Sequence, residues 1–71
     1  MKQTILVTFG RRLRELRVLK GLTQEQLASV SGLDRSYVGG VERGERNVSL
    51  LNLHRLAQAL EVTLQELLKI G

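Results

Sequence analysis

The 71-residue sequence contains neither cysteine nor proline. Without cysteine there can be no disulfide and no thiolate metal site, which is compatible with a reducing compartment. Without proline no position is barred from helix, and the many leucines favour an all-helical fold. Histidine occurs once, as His54, and no carboxylates sit at a spacing suited to acid–base or metal chemistry. Catalysis, a metal and a cofactor are therefore not expected. Long apolar runs are also missing. The longest near the start, Ile5-Leu6-Val7, is too short for a signal-peptide core or a membrane span. The expectation is a single small domain over residues 1–71, soluble and intracellular, whose core gives only marginal stability unless helix packing or self-association adds to it.

The sequence does have positive charge, unevenly placed. Of the formal net +4, residues 1–22 carry +5 from Lys2, Arg11, Arg12, Arg14, Arg17 and Lys20 against Glu15, residues 23–33 carry −1, and the remainder is balanced. A polyanionic partner fits this asymmetry, and an ordinary solvated helix face fits it equally well. A membrane surface fits less well, because the apolar stripe of the basic segment 5–20 is needed for the core.

The stretch from Thr23 to Gly44, TQEQLASVSGLDRSYVGGVERG, organises the chain. It reads as two short helices joined by a tight turn at Gly32, with Ala28 small enough to let the second helix cross the first closely. Val38 and Val41 give that second helix a narrow apolar stripe and leave Arg35, Ser36, Tyr37, Gly39 and Gly40 largely off it. The pattern is a helix-turn-helix over about 23–44. With LTQEQLA, SGLD, YVGGVERG and SLLNL together, residues 9–68 resemble the Cro/repressor-type (XRE-type) helix-turn-helix family. LDRSYVGGVERGERNVSLLNL is further similar to the controller proteins of restriction-modification systems, although phage repressors and plasmid or antitoxin regulators share much of the pattern. The resemblance implies a five-helix, lambda-repressor-like DNA-binding domain in the bacterial cytoplasm, associated with the nucleoid.

The first helix is expected over about 8–20, or from Thr4 with Gly10 tolerated inside it. Phe9, Leu13, Leu16 and Leu19 or Lys20 would be buried, with Arg11, Arg12, Arg14 and Glu15 pointing away. Gly21 should end it, with Leu22 packing inward. Thr23 and Gln26 form a capping box that starts the second helix, and the resemblance gives Gln24, just inside it, a contact with the DNA backbone. Asp34 is placed as the N-cap of the third helix, so that Arg35, Ser36 and Tyr37 occupy its first turn, where a recognition helix reads bases in the major groove. Tyr37 could instead pack its ring on the second helix. Gly39 and Gly40 make a poor helix interior, which suggests that a large partner surface comes close. The resemblance pairs Glu42 with Arg17 as a structural ion pair, and a contact that family members make through Ser at position 39 would be missing here.

After Gly44 a polar loop leads to Ser49, the N-cap of the fourth helix, with Arg43, Arg46 and Asn47 as phosphate contacts that hold register without reading sequence. Leu50, Leu53, Leu56, Ala57 and Leu60 should line its buried face. Glu61 stands where a glycine is usual. Thr63 and Glu66 make a second capping box, opening a last helix to about Lys69. Leu51, Leu68 and Ile70 exceed what one small core can hide and are assigned to a two-fold interface formed by helices over about 49–69.

One recognition helix reads too few base pairs to select a site in a genome. A homodimer on a palindromic double-stranded DNA operator, with recognition helices about 34 Å apart, is therefore expected. The controller resemblance implies control of the chain's own gene and of an endonuclease gene. Activation would need a contact with RNA polymerase; repression needs only occlusion. An antitoxin that holds a protein partner is the alternative.

Overall fold

Three of the helix starts are fixed by side chains. In the computed structural model, which describes residues 3–70 and so leaves Lys2 of the basic segment outside the described residues, the order is α1 (Thr4–Leu19), α2 (Gln24–Ser31), α3 (Arg35–Glu42), α4 (Leu50–Leu60) and α5 (Leu64–Leu67). There is no strand among the described residues. The Thr23 hydroxyl accepts from the Gln26 amide at 3.1 Å while Gln26 Oε1 accepts from the Thr23 amide at 2.9 Å, a complete capping box. Ser49 Oγ accepts from the Asn52 amide, and Thr63 Oγ1 from the Glu66 amide, at 3.1 and 3.0 Å. Such a cap is worth about 1 kcal/mol relative to alanine.

The apolar faces of all five helices meet in one core. Leu13 of α1, Leu27 of α2, Val38 and Val41 of α3, Leu56 and Leu60 of α4 and Leu67 of α5 are at most 1% exposed. Burying each contributes about 1.5–3 kcal/mol before the entropy of ordering it is subtracted. Ala28 lies in the same core, where α2 packs on both α3 and α4. The buried Ser31 hydroxyl donates back to the Leu27 carbonyl at 2.7 Å, so burial leaves it satisfied.

Several expectations need correction. Leu19 and Lys20 are exposed, because the last turn of α1 runs past the core; Leu50 is 70% exposed, because the first turn of α4 begins outside it. The helix α1 begins at Thr4, and Gly10 within it is required rather than tolerated: a Cβ there would lie 2.5 Å from the Val41 and Glu42 carbonyl oxygens. Helices α1 and α3 thus cross with backbone on backbone. Asp34 occupies the N-cap position of α3 without accepting a backbone amide, its carboxylate taking the Ser36 hydroxyl instead. The last helix ends at Leu67.

Arg12 does not point away. Its Nη2 donates to the Glu66 carbonyl at 2.9 Å and to Glu66 Oε1 at 3.1 Å, while Nη1 reaches Glu15 at 3.1 Å. The Glu66 carboxylate is thereby drawn to Arg12 rather than back to the Thr63 amide, and a cation caps the end of α5. Glu61 takes the left-handed conformation usual for glycine, with φ 57° and ψ 40°. No helix among the described residues is long and apolar enough to cross a membrane.

Candidate nucleic-acid interface

Helices α2 and α3 are joined by Gly32, Leu33 and Asp34, and the turn depends on Gly32 at φ 72°, where a Cβ would be strained. Leu33 anchors it: its amide donates to the Ala28 carbonyl at 2.9 Å and its side chain packs against the core. The amino ends of both helices consequently open on one side of the molecule. There Gln24 and Arg35 line a common open depression together with Arg17, Thr23, Gln26 and one carboxylate, Glu25. The uncapped amino end of α3 and the Arg35 guanidinium at this concave surface suit a phosphate-bearing polymer.

Arg17 and Glu42 hold that surface in place from beneath. The guanidinium meets the carboxylate side by side, Nε to Oε2 at 2.6 Å and Nη2 to Oε1 at 3.0 Å, with side chains 11% and 4% exposed. Arg17 Nη1 also donates to the Leu22 carbonyl at 2.8 Å. The hydrogen bond to Glu42 raises the Arg17 pKa, burial lowers it and the charge of Glu42 raises it, the net direction being upward. The pair extends one residue further: Gln24 Nε2 donates to Glu42 Oε1 at 3.0 Å. The first residue of α2, the last of α3 and the last turn of α1 are thus joined by one network.

In the first turn of α3, Arg35 and Ser36 are exposed. Tyr37 is half-buried, its ring against the core and its hydroxyl accepting from Asn52 Nδ2 of α4 at 3.1 Å. The hydroxyl is thus tied to α4. Arg43, Arg46 and Asn47 are exposed at the far end of the same helix and in the loop behind it; Arg43 Nε donates to Glu45 at 3.1 Å, and the Arg46 guanidinium lies over the Tyr37 ring, 5.9 Å from its centre.

Gly39 and Gly40 are buried, which departs from the expectation that they face a partner. The atoms nearest the missing side chains are the protein's own, Arg43 and Gln24 at Gly39 and Arg46 at Gly40. His54 is exposed, and no group of metal-ligating side chains occurs among the described residues.

The residues assigned to a two-fold interface lie elsewhere. Leu51 is 56% and Leu68 40% exposed, and Leu68 and Ile70 border an apolar groove of about 160 Å³ with Ile5, Phe9 and Leu53, a groove that Asn47 also lines, so this candidate phosphate contact adjoins the apolar surface. Leu50 and Ile5 add to this exposed apolar surface. Sequence spacing marks neither, since Leu50 keeps the register of the buried stripe of α4 and Ile5 falls in the opening turn of α1.

A helix-turn-helix family model matches residues 13–67. The control protein C.MunI of a Mycoplasma species is 45% identical over 64 residues, covering 89% of this chain and 86% of its own length. The control protein C.SmaI of Serratia marcescens is 53% identical over 55 residues, 78% of this chain and 66% of its own. Among solved structures, the restriction-modification controller protein C.AhdI from Aeromonas hydrophila superposes with a TM-score of 0.86 at 69% identity, covering 87% of this chain and 94% of that one.

Proposed function

This chain belongs to the helix-turn-helix family of DNA-binding transcription regulators, which are not enzymes, and within it to the restriction-modification controller proteins; from that premise we propose that it binds a palindromic operator as a homodimer. The observation that supports this most is the shared depression of Gln24 and Arg35, with Arg35 and Ser36 exposed on the first turn of α3. Laid in a major groove, that turn brings Arg35 to a guanine, where two hydrogen bonds to O6 and N7 are worth about 1–3 kcal/mol of discrimination. Ser36 contributes a less selective contact, and the exposed part of Tyr37 abuts the neighbouring base or sugar. Gln24, Arg43, Arg46 and Asn47 take phosphates on both sides of the groove and fix the register.

The second protomer packs through α4 and α5, covering Leu51, Leu68 and Ile70 and setting the two recognition helices about 34 Å apart. Dimerisation linked to binding makes occupancy rise steeply with protein concentration, which suits a regulator that acts upstream of its own gene and an endonuclease gene in the bacterial cytoplasm, on the nucleoid. Where the operator overlaps the promoter the dimer occludes it; where it lies upstream, the dimer can contact RNA polymerase.

Fluorescence anisotropy with DNA from upstream of the gene tests the reading. Wild-type protein should bind with a steep negative dependence on salt, and Arg35→Ala should weaken operator binding by about 1–3 kcal/mol while weakening binding to unrelated DNA much less, so that sequence preference falls. Failure to bind any upstream fragment at moderate salt would instead favour the antitoxin alternative.

A further inference from the structure

Two adjacent glycines inside an eight-residue helix lower its intrinsic stability, and neither Gly39 nor Gly40 has a positive φ that would require glycine. The three heavy atoms nearest to a side chain at buried Gly40 all belong to Arg46. A Cβ there would lie 3.1 Å from Arg46 Nε, 3.2 Å from Cγ and 3.7 Å from Cδ, so the arginine stem runs lengthwise over the missing methyl group. Beyond the stem, the guanidinium ends over the Tyr37 ring. That ring is itself tied to α4 through the Asn52 amide, at 3.1 Å.

We propose that Gly40 and the Asn52-anchored Tyr37 ring form a cradle that holds Arg46 down along α3, making Gly40 a positioning residue for DNA contact. An arginine loses much rotamer freedom when it binds, and one already laid in a groove loses less. The same cradle aims the guanidinium along the recognition helix rather than out from the loop that carries it. A methyl group at position 40 meets the stem at 3.1 and 3.2 Å, tighter than ordinary contact, so the stem must shift by a few tenths of an ångström and its seat between helix and ring is disturbed. Glycine at this position thus trades helix propensity for a prearranged cation. The inference rests on the reading that Arg46 contacts DNA.

Gly40→Ala, Arg46→Ala and the double variant, each titrated with operator DNA and melted thermally, provide the test, together with the Arg46 Nε–H resonance of free wild-type protein. The cradle predicts that Gly40→Ala melts no lower than wild type yet binds DNA roughly threefold to tenfold more weakly, and that it costs nothing further once Arg46 is Ala. In the free protein the Arg46 Nε–H should be ordered and ring-shifted, a readout that needs neither DNA nor the glycine variant to fold. Additive losses, or an averaged Nε–H signal like that of a solvated arginine, would overturn the cradle while leaving the DNA contact intact. Undiminished binding by Arg46→Ala would overturn the DNA contact itself, and the inference with it.

Discussion

Replacing Arg17 by alanine should unfold this domain at a much lower temperature than replacing any exposed arginine. Arg17 supplies two bonds to Glu42 and one to the Leu22 carbonyl, and Glu42 is 4% exposed. In Arg17→Ala the carboxylate stays buried with the Gln24 amide as its remaining partner in the network. Removing one member of a buried pair costs about 3–5 kcal/mol. The depression beside Arg17 admits water to the vacated space, so the lower end applies, about 3 kcal/mol. For a domain of this size that is a fall of about 12–24 °C in Tm. Circular dichroism at fixed protomer concentration measures it, since linkage to self-association otherwise moves Tm. The double variant Arg17→Ala/Glu42→Gln removes the stranded charge and should recover at least half of the loss. A Tm within a few degrees of wild type, or a double variant no more stable than the single, would refute the reasoning. The raised Arg17 pKa stabilises the folded form at every pH below the guanidinium's ordinary titration, and that stability fades only above it. Raising the pH from neutral to mildly alkaline should therefore leave the pair's contribution unchanged.

Three further outcomes are expected. Gly10→Ala should lower stability by about 1–3 kcal/mol despite its better helix propensity, because its Cβ meets the Val41 and Glu42 carbonyls; a rise in Tm would contradict the close crossing. Glu61→Gly should raise stability by about 1 kcal/mol, since it removes a side chain from the left-handed region at φ 57°; an unchanged or lower urea midpoint would argue against strain there. Leu51→Asp should shift sedimentation equilibrium toward monomer while the far-ultraviolet spectrum stays native, because the side chain is 56% exposed in the protomer; undiminished self-association would place the interface elsewhere.

Much of the helix framework was legible because it is written in local chemistry: the Thr23–Gln26 capping box and Ser49 sit where they were expected, and Gly32 turns as a left-handed residue must. Periodicity was reliable in the middle of helices and failed at their ends. Leu19 and Leu50 keep the spacing of a buried stripe, yet no opposing helix reaches them. Arg12 looked like a solvated cation because its partner, the Glu66 carbonyl, lies 54 residues away and is a backbone group with no sequence mark. Gly39 and Gly40 were recognisably anomalous, but only the structure shows that Arg43 and Arg46 occupy their missing volume. Gln24 and Arg35 share one depression beside the Arg17–Glu42 pair, a link the family resemblance supplied and periodicity could not.

In the proposed complex the first turn of α3 enters the major groove twice, once from each protomer. Protection of guanine N7 from methylation on the operator measures this directly, since N7 is reached only from the major groove. Protected guanines should fall in two symmetric half-sites about 10 base pairs apart and lose protection with Arg35→Ala at saturating protein. A single protected patch, or two patches indifferent to Arg35, would contradict it.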